Sequence, residues 1–105
     1  AWTTDAAGME RVRRCAAARA VENQAFVAVS SVVDPDDINP IGAVGASFVY
    51  GPCDSVIDTL GPIGEVSAAT HGSCVVELDA TAIQRSRRDA VTRPFVDHRR
   101  RHRDN

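Results

Sequence analysis

Phe26 to Val33 reads FVAVSSVV, and neither of its alternating residue sets carries a charge. Phe26, Ala28, Ser30 and Val32 form one set; Val27, Val29, Ser31 and Val33 form the other. A strand of this composition belongs where both faces of a sheet are covered. That requirement limits what the chain can fold into. Covering layers must come from somewhere, and 105 residues supply few. The length suits one domain or a piece of one. With 44% hydrophobic and 25% charged residues, the composition is that of a globular protein.

The neighbouring segments set the fold class. Met9 to Asn23 predicts a helix, rich in Ala and Arg. Met9, Val12, Cys15, Ala16 and Ala20 recur at spacings of three and four, while Glu10, Arg11 and Arg14 face water. Asp5 is placed to cap its start. Asp34 to Ala43 (DPDDINPIGA) is a loop, broken by two prolines and a glycine. Val44 to Tyr50 predicts a second strand, Glu65 to Thr70 a short one, and Ser73 to Leu78 (SCVVEL) a third clear one. Asp79 caps a short helix over Ala80 to Arg88. TRPFVDHRRRHRDN closes the chain as an extended basic tail. The expected class is α/β, with too little helix to cover its own strands. The expected division is a segment over residues 1–91 and a tail over 92–105.

Charge and cysteine content remove several function classes. The formal net charge is −2, and all 12 Lys+Arg positions are arginine. No apolar run approaches the roughly 20 residues of a membrane helix, and no signal-peptide core is visible, so the expected compartment is the cytoplasm with no membrane partner. Cys15, Cys53 and Cys74 are too few and too scattered for a disulfide framework. Cys15 sits among helical alanines, a packing position. Cys53 follows Gly51-Pro52 in a turn beside acidic Asp54, a poor setting for a nucleophilic thiolate. Cys74 opens an apolar strand. His71, Cys74 and Cys53 lack the paired spacing of a metal site, and read as a turn histidine and structural thiols.

Four pieces in order carry a family resemblance. Arg19-Ala20-x-Glu22-Asn23 ends a helix that leads directly into a core strand. GASFVYGPCD follows as a Gly-x-Ser strand with a turn. VVELDATAIQRSRR is a strand ending in Leu-Asp before a short helix, and the tail carries Arg93-Pro94, Asp97, Arg99 and Arg100. Together these resemble the C-terminal portion of carbon–nitrogen hydrolases of the nitrilase superfamily. The Gly-Pro-Cys-Asp turn and the approach to Cys74 look closest to the branch fused to an acetyltransferase domain. The resemblance implies a four-layer α-β-β-α sandwich, incomplete in this chain. It implies hydrolysis of non-peptide amide or nitrile carbon–nitrogen bonds by a Glu general base, an oxyanion-holding Lys and a Cys nucleophile, with no metal or organic cofactor. It also implies a small-molecule substrate and a homo-oligomer. The catalytic residues lie upstream in that family, and a chain without lysine contains no such triad. By itself it is expected to be inactive.

Two residue groups have competing readings. Arg19, Glu22 and Asn23 either support a pocket from behind or simply close the helix by local bonding. Arg93, Asp97, Arg99 and Arg100 are candidate contacts to a partner subunit, while Arg99, Arg100, Arg101 and Arg103 with His98 and His102 are alternatively a phosphate-binding tail. Phe95 is the sole aromatic near that tail, so a base-stacking platform is not supported and nucleic acid is not the expected partner. A non-catalytic oligomerisation or partner-binding module is the main rival to the hydrolase reading.

Overall fold

The computed structural model describes residues 1–33, 43–66 and 72–104, apart from the side chains of residues 100–104. The element order is α1 (Ala6–Asn23), β1 (Val27–Val29), β2 (Ser47–Tyr50), β3 (Gly64–Val66), α2 (Ala80–Asp89) and α3 (Pro94–Asp104). The three strands form one antiparallel sheet in the order β1-β2-β3. Val27 faces Tyr50 and Val29 faces Phe48; Ser47 faces Val66 and Val49 faces Gly64.

Helix α1 begins where its cap predicts. The Asp5 carboxylate accepts from the Gly8 N–H at 2.6 Å, satisfying one of the free donors of the first turn. The helix starts at Ala6, one turn earlier than the apolar stripe alone indicates. Met9, Ala16 and Ala20 are buried and Val12 packs beside them, as the stripe requires. Cys15 departs from the expectation. It is exposed, because the stripe is carried by Ala16.

Sheet and helix meet through small residues. Met9, Ala16, Ala46 and Phe48 make the core, with Val12, Val27, Val29 and Tyr50 at its margin. The Phe48 and Tyr50 rings meet edge to face at 5.5 Å. Arg13 ties α1 to the sheet. Its guanidinium lies 4.6 Å from the Phe48 centroid, donates to the Tyr50 hydroxyl at 3.1 Å and pairs with Glu65.

The strands are shorter than their apolar runs. β1 stops at Val29 because Ser31 N–H donates to the Ser47 side chain at 3.1 Å instead of to a backbone carbonyl. β2 starts only at Ser47 because the preceding backbone has other partners. Val44 N–H donates to the Thr3 carbonyl at 2.7 Å, and Ala46 N–H points at the Met9 sulfur at 3.2 Å. Of the segment from Glu65 to Thr70, β3 takes Glu65 and Val66 and adds Gly64; the rest lies outside the described residues.

Two expectations need correction. Ser73 to Leu78 is not a strand, and Cys74 is exposed. The segment lies against Gly64, where a Cβ would fall 2.5 Å from Val76 Cγ1 and 2.7 Å from Cys74 Sγ. It therefore covers the sheet without extending the ladder, and leaves Val75 97% exposed. The basic tail is not extended either; it is helix α3. Pro94 suits the first helical position, and Asp97 lies in the first turn, where a carboxylate favours the positive helix end. α3 packs on α1 and α2.

The radius of gyration is 16.4 Å, against about 13 Å for a compact chain of this length. The accessible surface is 7183 Å², against roughly 5,700 Å² for a folded monomer of this mass.

Replacing Arg13 by Met keeps its apolar stem but removes the ring contact and two hydrogen-bonded partners. The expected cost is about 1–2 kcal/mol, read as a lower urea midpoint. Glu65→Gln should cost less than half as much, since it removes only a partly exposed ion pair.

Candidate functional site

A densely bonded polar group sits where α1 ends. Gln24 follows the helix in the left-handed region (φ 45°, ψ 60°). Ala25 N–H donates to the Ala20 carbonyl at 3.1 Å and Gln24 N–H to the Val21 carbonyl at 3.3 Å. This pair of bonds is a Schellman closure, in which the left-handed position is usually glycine. Here it is a glutamine only 1% exposed. Its side chain provides the compensation. Nε2 donates to the Ser86 carbonyl at 2.9 Å and to Ser86 Oγ at 3.0 Å, while Oε1 accepts from Phe95 N–H at 3.3 Å.

Ser86 passes the network on. Its fully buried hydroxyl donates to Asp54 Oδ2. Asp54 Oδ1 accepts from Val56 N–H at 2.9 Å and Ile57 N–H at 2.8 Å, the local turn that a short acidic side chain favours. Burial pushes the Asp54 carboxyl up. Hydrogen bonds from Ile57, Ser86, Val56 and Gln24 together outweigh it, and hold the group below the usual aspartate value of 3.8.

Arg87 closes the same end of α1 from α2. Nε donates to the Gln24 carbonyl at 3.1 Å and Nη2 to the Asn23 carbonyl at 3.4 Å. A cation at a helix C-terminus is favoured by the macrodipole. The Arg87 guanidinium lies 3.7 Å from the Phe95 centroid, and that of Arg99 lies 4.7 Å from it. A shallow hollow beside this node is lined by Val21, Pro52, Cys53, Val91 and Pro94. Cys53 is exposed there, with φ 51°.

The node holds helices together; it has no geometry for acyl transfer. Ser86 is buried beyond the reach of a substrate. Its carboxylate partner is held ionised at a low pKa, so it is a weak proton acceptor near neutral pH.

The sequence-derived candidates fall elsewhere. Arg19 and Glu22 form an exposed ion pair at 2.5 Å, and Asn23 Nδ2 donates to the Arg19 carbonyl at 3.0 Å. These bonds are local to the end of α1. Arg93 donates to the Arg88 carbonyl at 3.2 Å, Asp97 lies in the first turn of α3 and Arg99 lies on Phe95. The Arg100 side chain, His71 and the loop over 34–42 lie outside the described residues.

Sequence reasoning missed Gln24, Ser86 and Arg87. One signal was available: the helix ends in Glu-Asn and is followed by Gln24 with no glycine, so its last carbonyls need other donors.

The comparisons with known proteins bear on this chain as a whole. It is 31% identical over 100 residues to the protein named "Probable hydrolase YhcX" of Bacillus subtilis (strain 168), a match that takes in 93% of this chain. The chain spans 20% of the length of that relative. No family model matches the sequence. No solved structure matches it either. Among the described residues, no helix is long and apolar enough to cross a membrane.

Gln24→Ala should cost about 2–3 kcal/mol, because Ser86 and the Phe95 N–H lose a buried partner. Gln24→Gly loses the same bonds but relieves the left-handed backbone, so it should be about 1 kcal/mol more stable than Gln24→Ala. Urea unfolding of both variants checks the order.

Asp54 adds a pH dependence. Its folded pKa lies below its unfolded value, so the contribution is fully present above pH 3.8 and is lost as pH falls through the folded pKa. A titration of the melting temperature should show this acid limb in the parent and a smaller one in Asp54→Asn.

Proposed function

We propose that this chain is the C-terminal portion of a nitrilase-like hydrolase acting on non-peptide carbon–nitrogen bonds, amide or nitrile, of a small molecule. The observation that carries the reading is the 31% identity running through 93% of the chain to a protein named as a probable hydrolase. The four motif pieces, in order from Arg19-Ala20-x-Glu22-Asn23 to Arg93-Pro94, give it its specificity. In the complete enzyme, a Cys attacks the substrate carbon, a Glu moves the proton, and a Lys with backbone N–H groups holds the oxyanion. None of these three would be supplied by this segment. Its part is structural: a helix-backed piece of sheet for one half of an α-β-β-α sandwich, and subunit contacts through Arg93, Asp97, Arg99 and Arg100 of a cytoplasmic homo-oligomer.

Two properties of the chain fit that role. One face of the sheet is backed by α1, as one half of a sandwich requires. The other carries exposed Ala28 and is covered in part by Cys74 and Val76. An inner face of this kind is completed by a second sheet.

The test starts with the encoded polypeptide. An antibody to this segment should detect, in the source cells, a species much larger than 105 residues. That species, purified, should release ammonia from short amides or nitriles, and thiol alkylation should abolish the release. The 105-residue chain alone should release none. Detection of the short chain alone would exclude catalysis by this mechanism and favour the binding-module reading. A large species that turns over no amide or nitrile would refute the carbon–nitrogen assignment.

A further inference from the structure

The charge of this chain is divided by position. Residues 80–105 contain eight arginines and three aspartates, a formal charge of +5. Residues 1–79 contain four arginines and eleven acidic residues, a formal charge of −7. The fold places the positive part on α2 and α3, which pack on each other and against the end of α1, away from the sheet. An asymmetry of this size points to a partner of opposite charge.

Neutralisation differs between the two parts. On α1, Arg13, Arg14 and Arg19 each pair with a glutamate. On α2 and α3, one ion pair forms among the described residues, Arg88 with Asp89 at 2.8 Å. The same carboxylate also serves two neighbours. Arg88, with Arg85 and Arg93 beyond it, holds the Asp89 carboxyl below its usual value. Three guanidiniums thus share one acid, and Arg99 adds a fourth that lies on the Phe95 ring. Arg85, Arg88 and Arg99 are exposed. The Phe95 ring is occupied by Arg87 and Arg99, so this surface offers charge and planar donors without a stacking platform.

We propose that the α2–α3 surface docks on the phosphate backbone of duplex nucleic acid, through Arg85, Arg88, Arg93 and Arg99 and without reading bases. Guanidinium forks match phosphate oxygens bidentately. A duplex carries one charge per about 1.7 Å of its axis, so arginines on two helices can meet several phosphates at once. Base stacking, whose absence weighs against nucleic acid at the level of sequence, is not needed for phosphate docking. Two other anionic partners fit less well. A membrane surface calls for a free apolar helix face, whereas Ile83, Phe95 and Val96 are partly buried. A second copy would have to offer spare carboxylates. Among the described residues of 1–79, the glutamates of the α1 ion pairs are taken, Asp5 and Asp79 cap helices and Asp54 is bonded to Ser86, which leaves Asp58 and Glu77. Arg93 and Arg99 are shared with the subunit contacts of the hydrolase reading, but Arg85 and Arg88 are not, and the docking does not rest on that reading.

Fluorescence anisotropy of short labelled duplexes of mixed sequence, DNA and RNA, with the polypeptide as encoded, decides it. With about four phosphates engaged, affinity should fall about 100-fold as salt rises from about 50 to 200 mM. Duplexes of unrelated sequence should bind alike. The double variant Arg85→Gln, Arg88→Gln should cut the salt slope by about half and leave the oligomeric state unchanged. Asp89→Asn removes the competing carboxylate and should tighten binding several-fold, a gain that a merely structural role would not produce. Circular dichroism of the variants verifies that the helices persist. Binding of either duplex with this salt dependence sustains the proposal, since both present the same phosphodiester. Absence of binding to both at about 50 mM salt overturns it. So does unchanged binding in the double variant. Selective binding of phosphatidylserine vesicles, or salt-sensitive self-association lost in the double variant, overturns it in favour of a membrane or a second copy. No arm reads amide or nitrile turnover, so failure here and failure of the hydrolase reading are distinct.

Discussion

A single side-chain amide decides how the helices of this protein are arranged. Gln24 occupies a left-handed position that costs an L-residue roughly 1–2 kcal/mol. It holds that position because its side chain is buried and bonded to both α2 and α3. Without those bonds, glycine would be the better residue there. With them, the end of α1 becomes the point where three helices and the turn after Pro52 are registered to one another. Ser86 carries the connection to Asp54, and Arg87 neutralises the helix end from outside. The cost of the backbone conformation and the requirement for neighbouring helices are thus two sides of one constraint.

The sheet depends on that arrangement less than on α1 itself. The helix approaches closely because the residues facing the sheet are small, and Met9 fills the remaining space. Close approach has a consequence for the glycines. At Gly45 a Cβ would lie 2.4 Å from the Val32 carbonyl oxygen, a backbone atom with no freedom to yield. The path of the chain between β1 and β2 is therefore fixed at this point by absence of a side chain. Arg13 then bridges the helix to two strands, making the outer part of the interface polar while the inner part stays dry.

Much of the local structure was legible in the sequence. The spacing of Met9, Val12, Cys15, Ala16 and Ala20 gave α1 and its buried face except at Cys15, which is exposed, and Asp5 and Asp79 gave the two caps that the structure shows. Four features were not legible, each for a physical reason. Strand lengths depend on whether side chains such as Ser47 take over ladder donors, which an apolar run does not reveal. The segment SCVVEL has strand composition, yet its place is set by the empty space above Gly64. The tail HRRRHR looks solvated and self-repelling, yet it is helical where Phe95 gives Arg87 and Arg99 an aromatic surface. The central node was the least legible. A glutamine after a helix is unremarkable until the partner at Ser86, 62 positions away, is known.

The apolar run from Phe26 to Val33 retains a requirement that the described structure meets only in part. Its α1-facing set is packed, but Ala28 and Ser30 remain exposed on the opposite face, and β1 ends the described sheet. An uncharged strand in that position is an aggregation template unless something covers it. Exposed apolar side chains are not confined to this strand. Residues such as Val75, Leu60 and Val91, each nearly fully exposed, carry the remainder. Sequence pattern and geometry therefore agree on one point by separate routes. The chain is built with the face chemistry of an interior strand, and its stability depends on what lies against that face and that edge.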